Sequence, residues 1–162
     1  MSSDSISAIT SRAEFQDAVR SSLEQAADVG AREIFLIDPT FSDWPLGERA
    51  VVDAFARWAE SGRSLTLMAH SFDELPRRHF RFVEWRRTWT HVVHCRADED
   101  LEARQIPTLL FIPGLVCVRL VDNVEFRGVV SGLAVDQVAS RERVDALLQR
   151  SVEAFPVTAL GL

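Results

Sequence analysis

The chain has 162 residues, a hydrophobic fraction of 47% and a formal net charge of −6. This length fits one domain with a full core, no apolar run approaches the ~20 residues of a membrane span, and the acidic balance disfavours a general polyanion binder. All 18 basic residues are arginines. Arginine stays protonated, so lysine Schiff-base chemistry and the P-loop lysine are excluded for this chain.

The first eleven residues, MSSDSISAITS, lack the basic start and apolar centre of a secretory signal. We expect a disordered tail over residues 1–11 and a cytoplasmic protein. Ser11 and Glu14 then form a capping box, which predicts the start of a helix that ends near Gly30. Its inner face is marked by apolar residues at helical spacing, namely Phe15, Val19, Leu23 and Ala26.

Strands and helices alternate in the next part of the chain. Residues 33–37, 64–70 and 90–95 have the composition of strands, whereas residues 46–61 and 75–89 show apolar side chains at helical spacing. Such alternation predicts parallel strands that are joined by right-handed crossovers.

The pattern changes after residue 106. The segments PTLLFI, LVCVRLV and VEFRG are separated by Pro113-Gly114 and Asp122-Asn123, which are turn signals. They predict antiparallel hairpin strands, and a last helix follows with Ser140 as its cap and Pro156 at its end. We therefore predict an α/β fold with a mixed sheet flanked by helices, a single domain over residues 12–156 and a C-terminal tail over residues 157–162.

Three polar residues lie where ligands commonly bind in such folds. Asp38 and His70 each follow a predicted parallel strand, and Asp43 lies on the same loop as Asp38. Ligands of open α/β sheets bind beyond the carboxyl ends of the strands, so these side chains are candidates for a small polar site. The alternative is structural, because aspartate before proline often closes a turn and Asp43 could help to start the next helix.

Arg77, Arg78 and Arg81 share one face of the predicted helix over residues 75–89. Clustered guanidinium groups can hold phosphates through paired hydrogen bonds, so this face is a candidate site for an anionic ligand. The alternative is a solvated helix surface paired with nearby carboxylates. Leu75, Phe82, Trp85 and Trp89 should form the buried face.

No metal site is expected. His91 and His94 are three residues apart on a strand and point to opposite faces, and no second cysteine pair completes a tetrahedral set around Cys95. Cys95 and Cys117 are expected to be small core residues rather than a disulfide in a reducing compartment.

The segments IFLID, DWPLGERAVVDAFARWA and LTLMAHSFDELPRRHFRFVEWRRTW, followed by hairpin strands and a C-terminal helix, resemble a group of uncharacterised bacterial domains. Those domains look like one half of the phospholipase D-like fold, and the resemblance covers about residues 12–156. Active members carry a His-x-Lys-x4-Asp motif, in which histidine attacks phosphorus and lysine holds the phosphate oxygens. The corresponding positions here are Gln105, Pro107 and Ile112.

The resemblance therefore implies a phospholipase D-like half without its chemistry. The expectation is a non-catalytic interaction domain that forms a homodimer, since the two halves of the larger enzymes pair with each other. It needs no cofactor, and nucleic acid is not expected as a partner. The alternative, from a different class, is a small phosphoester hydrolase that uses Asp38, Asp43 and His70.

Overall fold

The computed structural model describes residues 5–157, which form one sheet with helices on both of its faces. The ranges of most elements agree within a few residues with the periodic segments of the sequence, and the larger differences are given below. The strands are β1 (Ile6–Ile9), β2 (Glu33–Ile37), β3 (Ser64–Ala69), β4 (Val93–Ala97), β5 (Thr108–Ile112), β6 (Val116–Asp122), β7 (Arg127–Ser131) and β8 (Val152–Glu153); the helices are α1 (Arg12–Val29), α2 (Arg49–Trp58), α3 (Leu75–Arg78), α4 (Phe80–Thr88) and α5 (Ala134–Arg150).

The eight strands are ordered β1-β7-β6-β5-β2-β3-β4-β8. β2, β3 and β4 are parallel, because helical crossovers return the chain to the same end of the sheet each time. β5 then pairs antiparallel with β2 and continues into the β5-β6-β7 meander. The predicted mixed α/β sheet, parallel first and antiparallel afterwards, is confirmed.

Alternate side chains of the central strands enter two separate cores. The larger core lies under α1, α2 and α4, and the smaller lies under α5. α1 begins as predicted, because the Ser11 hydroxyl accepts a hydrogen bond from the Glu14 amide at 3.1 Å. It ends at Gly30, whose φ of 67° is readily adopted by glycine. This packing fixes the carboxyl ends of β2 and β3 at one edge of the sheet.

The N-terminal segment differs from the prediction. Residues 1–11 were expected to form a disordered tail, but Ile6–Ile9 form strand β1 and pair antiparallel with β7. The strand is at the end of the sheet and buries only Ile9, so its sequence carries little of the apolar signal that marks an inner strand. Residues 1–4 lie outside the described part of the chain, as do residues 158–162 of the predicted C-terminal tail.

Two helices also differ from the prediction. The last helix begins at Ala134 rather than at Ser140, which lies inside the helix with its hydroxyl 3.1 Å from Cys117 Sγ. A buried serine facing a polar partner was thus mistaken for a cap. The last helix also ends at Arg150 rather than at Pro156, because Val152–Glu153 form β8 and pair with β4. The helix predicted over residues 75–89 is divided at His79 into α3 and α4, because the backbone of His79 leaves the helical region with φ −131° and ψ 52°.

Candidate ligand-binding site

Asp38 directly follows β2, and its carboxylate closes the turn after that strand. Oδ2 accepts hydrogen bonds from the amides of Thr40 and Phe41 at 3.0 and 2.8 Å, and Oδ1 accepts one from Thr108 Oγ1 at 2.6 Å. Thr108 is the first residue of β5, which pairs with β2, so the contact ties together the ends of two neighbouring strands. One carboxylate oxygen therefore holds the backbone of the turn, and the other holds the side chain of the first residue of β5.

The surroundings of Asp38 act on its protonation in opposite directions. Burial raises the pKa of the Asp38 carboxyl above its ordinary value, and the hydrogen bonds from Thr108, Thr40 and Phe41 oppose that rise. The indole N–H of Trp44 acts in the same direction as these bonds, although it makes no hydrogen bond within residues 5–157. Desolvation is the stronger influence, so the ionised carboxylate is held at a cost.

A cavity of about 160 Å³ opens beside Asp38, and Asp43 lines the same wall. Asp43 is half exposed and forms an ion pair with Arg12, at 3.2 Å between Oδ1 and Nε. Asn123 also lines the cavity and donates from Nδ2 to Thr108 Oγ1 at 3.3 Å. The structure thus brings the two predicted carboxylates to one small polar cavity.

His70 does not join them. Its ring lines a different cavity, of about 340 Å³, together with Phe72 and Phe155. The register explains the separation: Ile37 is aligned with Met68, so His70 is one step beyond the level of Asp38, and successive side chains alternate between the faces of a sheet. The predicted three-residue site of Asp38, Asp43 and His70 is therefore divided between two cavities.

The three residues that were expected to correspond to the phospholipase D motif have structural surroundings in this chain. Gln105 Oε1 accepts a hydrogen bond from the Glu102 amide at 2.8 Å, within the capping box of a short 3-10 helix. Pro107 follows that helix without a polar side chain, and Ile112 is fully buried as the last residue of β5. None of these three side chains has the imidazole, ammonium or carboxylate group that the motif supplies at its position.

The three predicted arginines are exposed, as expected from their spacing. Arg77 and Arg78 both approach the carboxylate of Glu74, at 3.1 and 3.7 Å, and Arg81 donates to the carbonyl of Gly47 at 3.3 Å. One carboxylate thus faces two guanidinium groups, and the third arginine is held by a neutral acceptor. We call Arg77, Arg78 and Arg81 the arginine face.

His79, between α3 and α4, is a buried polar residue that the sequence interpretation missed. Its Nδ1 accepts a hydrogen bond from the Gly47 amide at 3.1 Å, so its Nε2 is the protonated nitrogen and donates to the carbonyl of Phe41 at 2.7 Å. Burial lowers the pKa of His79, the Phe41 carbonyl opposes this, and the charge of Arg78 adds to the lowering. The partners lie more than 30 residues away, so no local pattern could have found this contact.

Arg86 is the second buried polar residue that the sequence interpretation missed. It is only 6% exposed and lies on the same side of α4 as buried Phe82, four residues before it. That i, i+4 spacing was the available signal. Trp85 and Trp89, which were expected to be largely buried, are half-buried instead.

Among residues 5–157, no group of three or more His, Cys, Asp or Glu side chains is arranged to hold a metal ion. Both cysteines are free and buried, as predicted, and burial raises the pKa of the Cys95 thiol to about 11. Within the same residues, no helix is both long enough and apolar enough to cross a membrane.

Several solved structures share this fold at low sequence identity. TrmBL2, an archaeal chromatin protein with a novel mode of DNA binding, has a TM-score of 0.66 and 12% identity over 95% of this chain and 55% of its own, so the present chain spans about half of its length. NucT from Helicobacter pylori has a TM-score of 0.59 and 13% identity, over 93% of this chain and 99% of its own. Nuc from Salmonella typhimurium, a phospholipase D family member, has a TM-score of 0.57 and 11% identity, over 94% and 99%.

No family model matches the chain, and no curated protein does. The structural likeness nevertheless shows a phospholipase D-like fold, as the resemblance of the sequence had implied. At these identities the likeness establishes the fold alone.

Proposed function

We propose that this protein is a non-catalytic phospholipase D-like domain that acts by binding. One observation carries the proposal: the residues where phosphoester chemistry would be expected are engaged in holding the structure. Gln105 caps a turn, Ile112 is in the core, and both oxygens of Asp38 hold backbone and strand ends. Pro107 stands where the motif would place its phosphate-holding lysine, and the chain contains no lysine.

The alternative is a small phosphoester hydrolase that uses Asp38, Asp43 and His70. Against it, the imidazole of His70 and the carboxylate of Asp38 line different cavities, so neither could activate a nucleophile for the other. A panel of phosphomonoester and phosphodiester substrates, tested with wild type and Asp38→Asn, separates the two functions. Turnover by wild type that Asp38→Asn abolishes would overturn the binding-only role, and we expect no turnover from either protein.

We further propose that the domain forms a homodimer. The support is the resemblance to enzymes whose two halves pair, together with large apolar side chains that are exposed near β1 and the start of α5. Ile6 on β1 lies beside Ser131, and the chain continues from there to Val135 and Val138; these three apolar residues are 54%, 70% and 61% exposed. Burial of such side chains between two copies would remove apolar surface from water.

Light scattering at micromolar concentration tests the self-association. We expect twice the monomer mass of 18.2 kDa for wild type, and the monomer mass for a Val135→Asp, Val138→Asp double variant that keeps its melting temperature. A wild-type monomer across the concentration range would contradict the homodimer.

We also propose that the arginine face binds a small anionic group. Its three guanidinium groups are exposed, and Glu74 is the one carboxylate that pairs with them among residues 5–157. TrmBL2 is a DNA-binding protein, but the net charge of −6 of the present chain favours a small anion over duplex DNA.

A further inference from the structure

Arg86 is a buried cation that has no counter-ion among residues 5–157. Its side chain makes no ion pair and no hydrogen bond within residues 5–157, and its Nε is buried without a partner. The aromatic ring of Phe155, 4.9 Å from Cζ, is the favourable contact that the structure gives it. An arginine cannot escape the cost of burial by losing its proton, and a cation–π contact with one phenylalanine recovers only part of that cost.

A cavity of about 800 Å³ lies at this guanidinium group. It lies at the edge of β4, between the end of α4 and the segment after α5, and we call it the β4-edge cavity. Its volume is within the range of small-molecule sites. Besides Arg86, its walls hold the hydroxyls of Thr66 and Thr90 and apolar groups such as Val93 and Leu148.

A second arginine of the same cavity also forms no ion pair within the described part of the chain. Arg96 lines the wall, and its guanidinium donates from Nε to Ser151 Oγ and from an NH2 group to the Ser151 carbonyl, both at 2.7 Å. These neutral acceptors fix the position of the group without cancelling its charge. Glu153 is the cross-strand neighbour of Arg96 and the single carboxylate of the lining, but it forms no ion pair with either arginine among the described residues.

We propose that the β4-edge cavity binds a small organic anion, a carboxylate or a phosphate monoester, whose charged end pairs with Arg86 and whose apolar body lies against Val93 and Leu148. Guanidinium groups recognise both kinds of anion through paired hydrogen bonds, and Arg96 supplies a second positive charge. This site is separate from the cavity of Asp38 and from the arginine face. It deepens the binding role proposed above and rests on it.

The variant Arg86→Met keeps most of the apolar stem and removes the charge. Arg87→Met is its matched control, because Arg87 is the next residue, is exposed and is paired with Glu84. We expect wild type and Arg87→Met to bind one of the probes saturably, by calorimetry and by thermal shift at low salt. Arg86→Met should bind at least ten-fold more weakly and, without a ligand, should melt at or above the wild-type temperature, since an uncompensated buried charge is gone.

A second variant covers the case in which Arg86→Met fails to fold. Thr90 is exposed and lines the cavity, so Thr90→Glu places a carboxylate in the site with little effect on the core. This built-in anion should raise the melting temperature and compete with added probes. If Thr90→Glu binds the probes as wild type does, the proposed site in the β4-edge cavity is wrong.

The probes separate the two sources of negative charge. One arm uses inorganic phosphate and glucose 6-phosphate, and the other uses citrate and a set of aryl carboxylates. Absence of saturable binding by wild type in both arms, or equal binding by Arg86→Met, overturns this inference. Failure of the non-catalytic function would be seen in a different experiment, as turnover in the phosphoester panel. That measurement does not depend on Arg86, so the two failures can be distinguished.

Discussion

Asp38 and His79 both hold the backbone of Phe41. The Asp38 carboxylate accepts a hydrogen bond from the Phe41 amide, and the His79 ring donates one to the Phe41 carbonyl. Phe41 adopts a left-handed conformation with φ 62°, which is uncommon for a residue with a bulky side chain. Its ring is fully buried between Trp44 and Phe72. A half-buried carboxylate and a buried imidazole thus stabilise a strained loop that follows the carboxyl end of β2.

The first prediction separates a structural Asp38 from a catalytic one. Asp38→Ala leaves two amides and the Thr108 hydroxyl without their acceptor, and unsatisfied buried donors cost ~1–3 kcal/mol each. We expect the free energy of unfolding to fall by about 3 kcal/mol in urea denaturation. Asp38→Asn keeps an acceptor oxygen and removes the buried charge, so it should be close to wild type at pH 7.

The pH dependence of this pair of proteins provides a further check. Because the folded pKa of Asp38 is raised above 3.8, the folded state binds the proton more tightly than the unfolded state does. The resulting stabilisation is complete below pH 3.8 and is lost as the pH rises through the folded pKa. Wild type should therefore gain stability relative to Asp38→Asn on acidification. A difference in the free energy of unfolding that stays constant with pH would contradict the raised pKa of Asp38.

The second prediction concerns His79. Burial lowers its folded pKa below 6.5, and protonation of Nδ1 would remove the acceptor of the Gly47 amide. The unfolded state therefore binds the proton more tightly, so stability is complete above pH 6.5 and is lost as the pH falls through the folded pKa. Melting temperatures from pH 7.5 to 5 should show this loss in wild type and a flatter profile in His79→Gln. The exposed His91 supplies the control: His91→Gln should follow the wild-type profile.

Elements with local periodicity could be predicted from the sequence. Phe15, Val19 and Leu23 identify α1 because a helix repeats its buried face every three to four residues. β1 could not be predicted, because the four residues of this end strand depend on pairing with β7, more than 100 positions away. The separation of His70 from Asp38 has a related cause, since it depends on the register between β2 and β3.

The third prediction concerns the apolar side of α4. Trp85 stacks on Phe55 with ring centroids 5.3 Å apart and contacts Phe82 at 5.7 Å. Trp85→Ala should lower the free energy of unfolding by ~3 kcal/mol, the low end for a large aromatic residue, because Trp85 is half-buried. Trp85→Phe is the matched control: it keeps a stacked ring and removes an indole N–H that has no partner in the described chain. If Trp85→Phe lowered the free energy of unfolding as much as Trp85→Ala does, ring stacking would not be what stabilises α4.

The fourth prediction tests the arginine face. Exposed ion pairs contribute ~1 kcal/mol or less, so the double variant Arg77→Ala, Arg81→Ala should keep a nearly unchanged melting temperature. If the face binds an anionic group, this variant should lose the binding of pyrophosphate, labelled oligonucleotides or anionic vesicles, and wild-type binding should weaken with salt.

The control for the arginine face is Arg57→Ala, Arg87→Ala, which removes the same charge elsewhere. Arg57 pairs with Asp28 and Arg87 with Glu84, so both are surface arginines with their own carboxylates. This control should bind as wild type does, which would show that position rather than total charge matters. Equal behaviour of wild type and the Arg77→Ala, Arg81→Ala variant with every probe, including no binding by either, would instead identify the face as a solvated helix surface, with Glu74 as its sufficient partner.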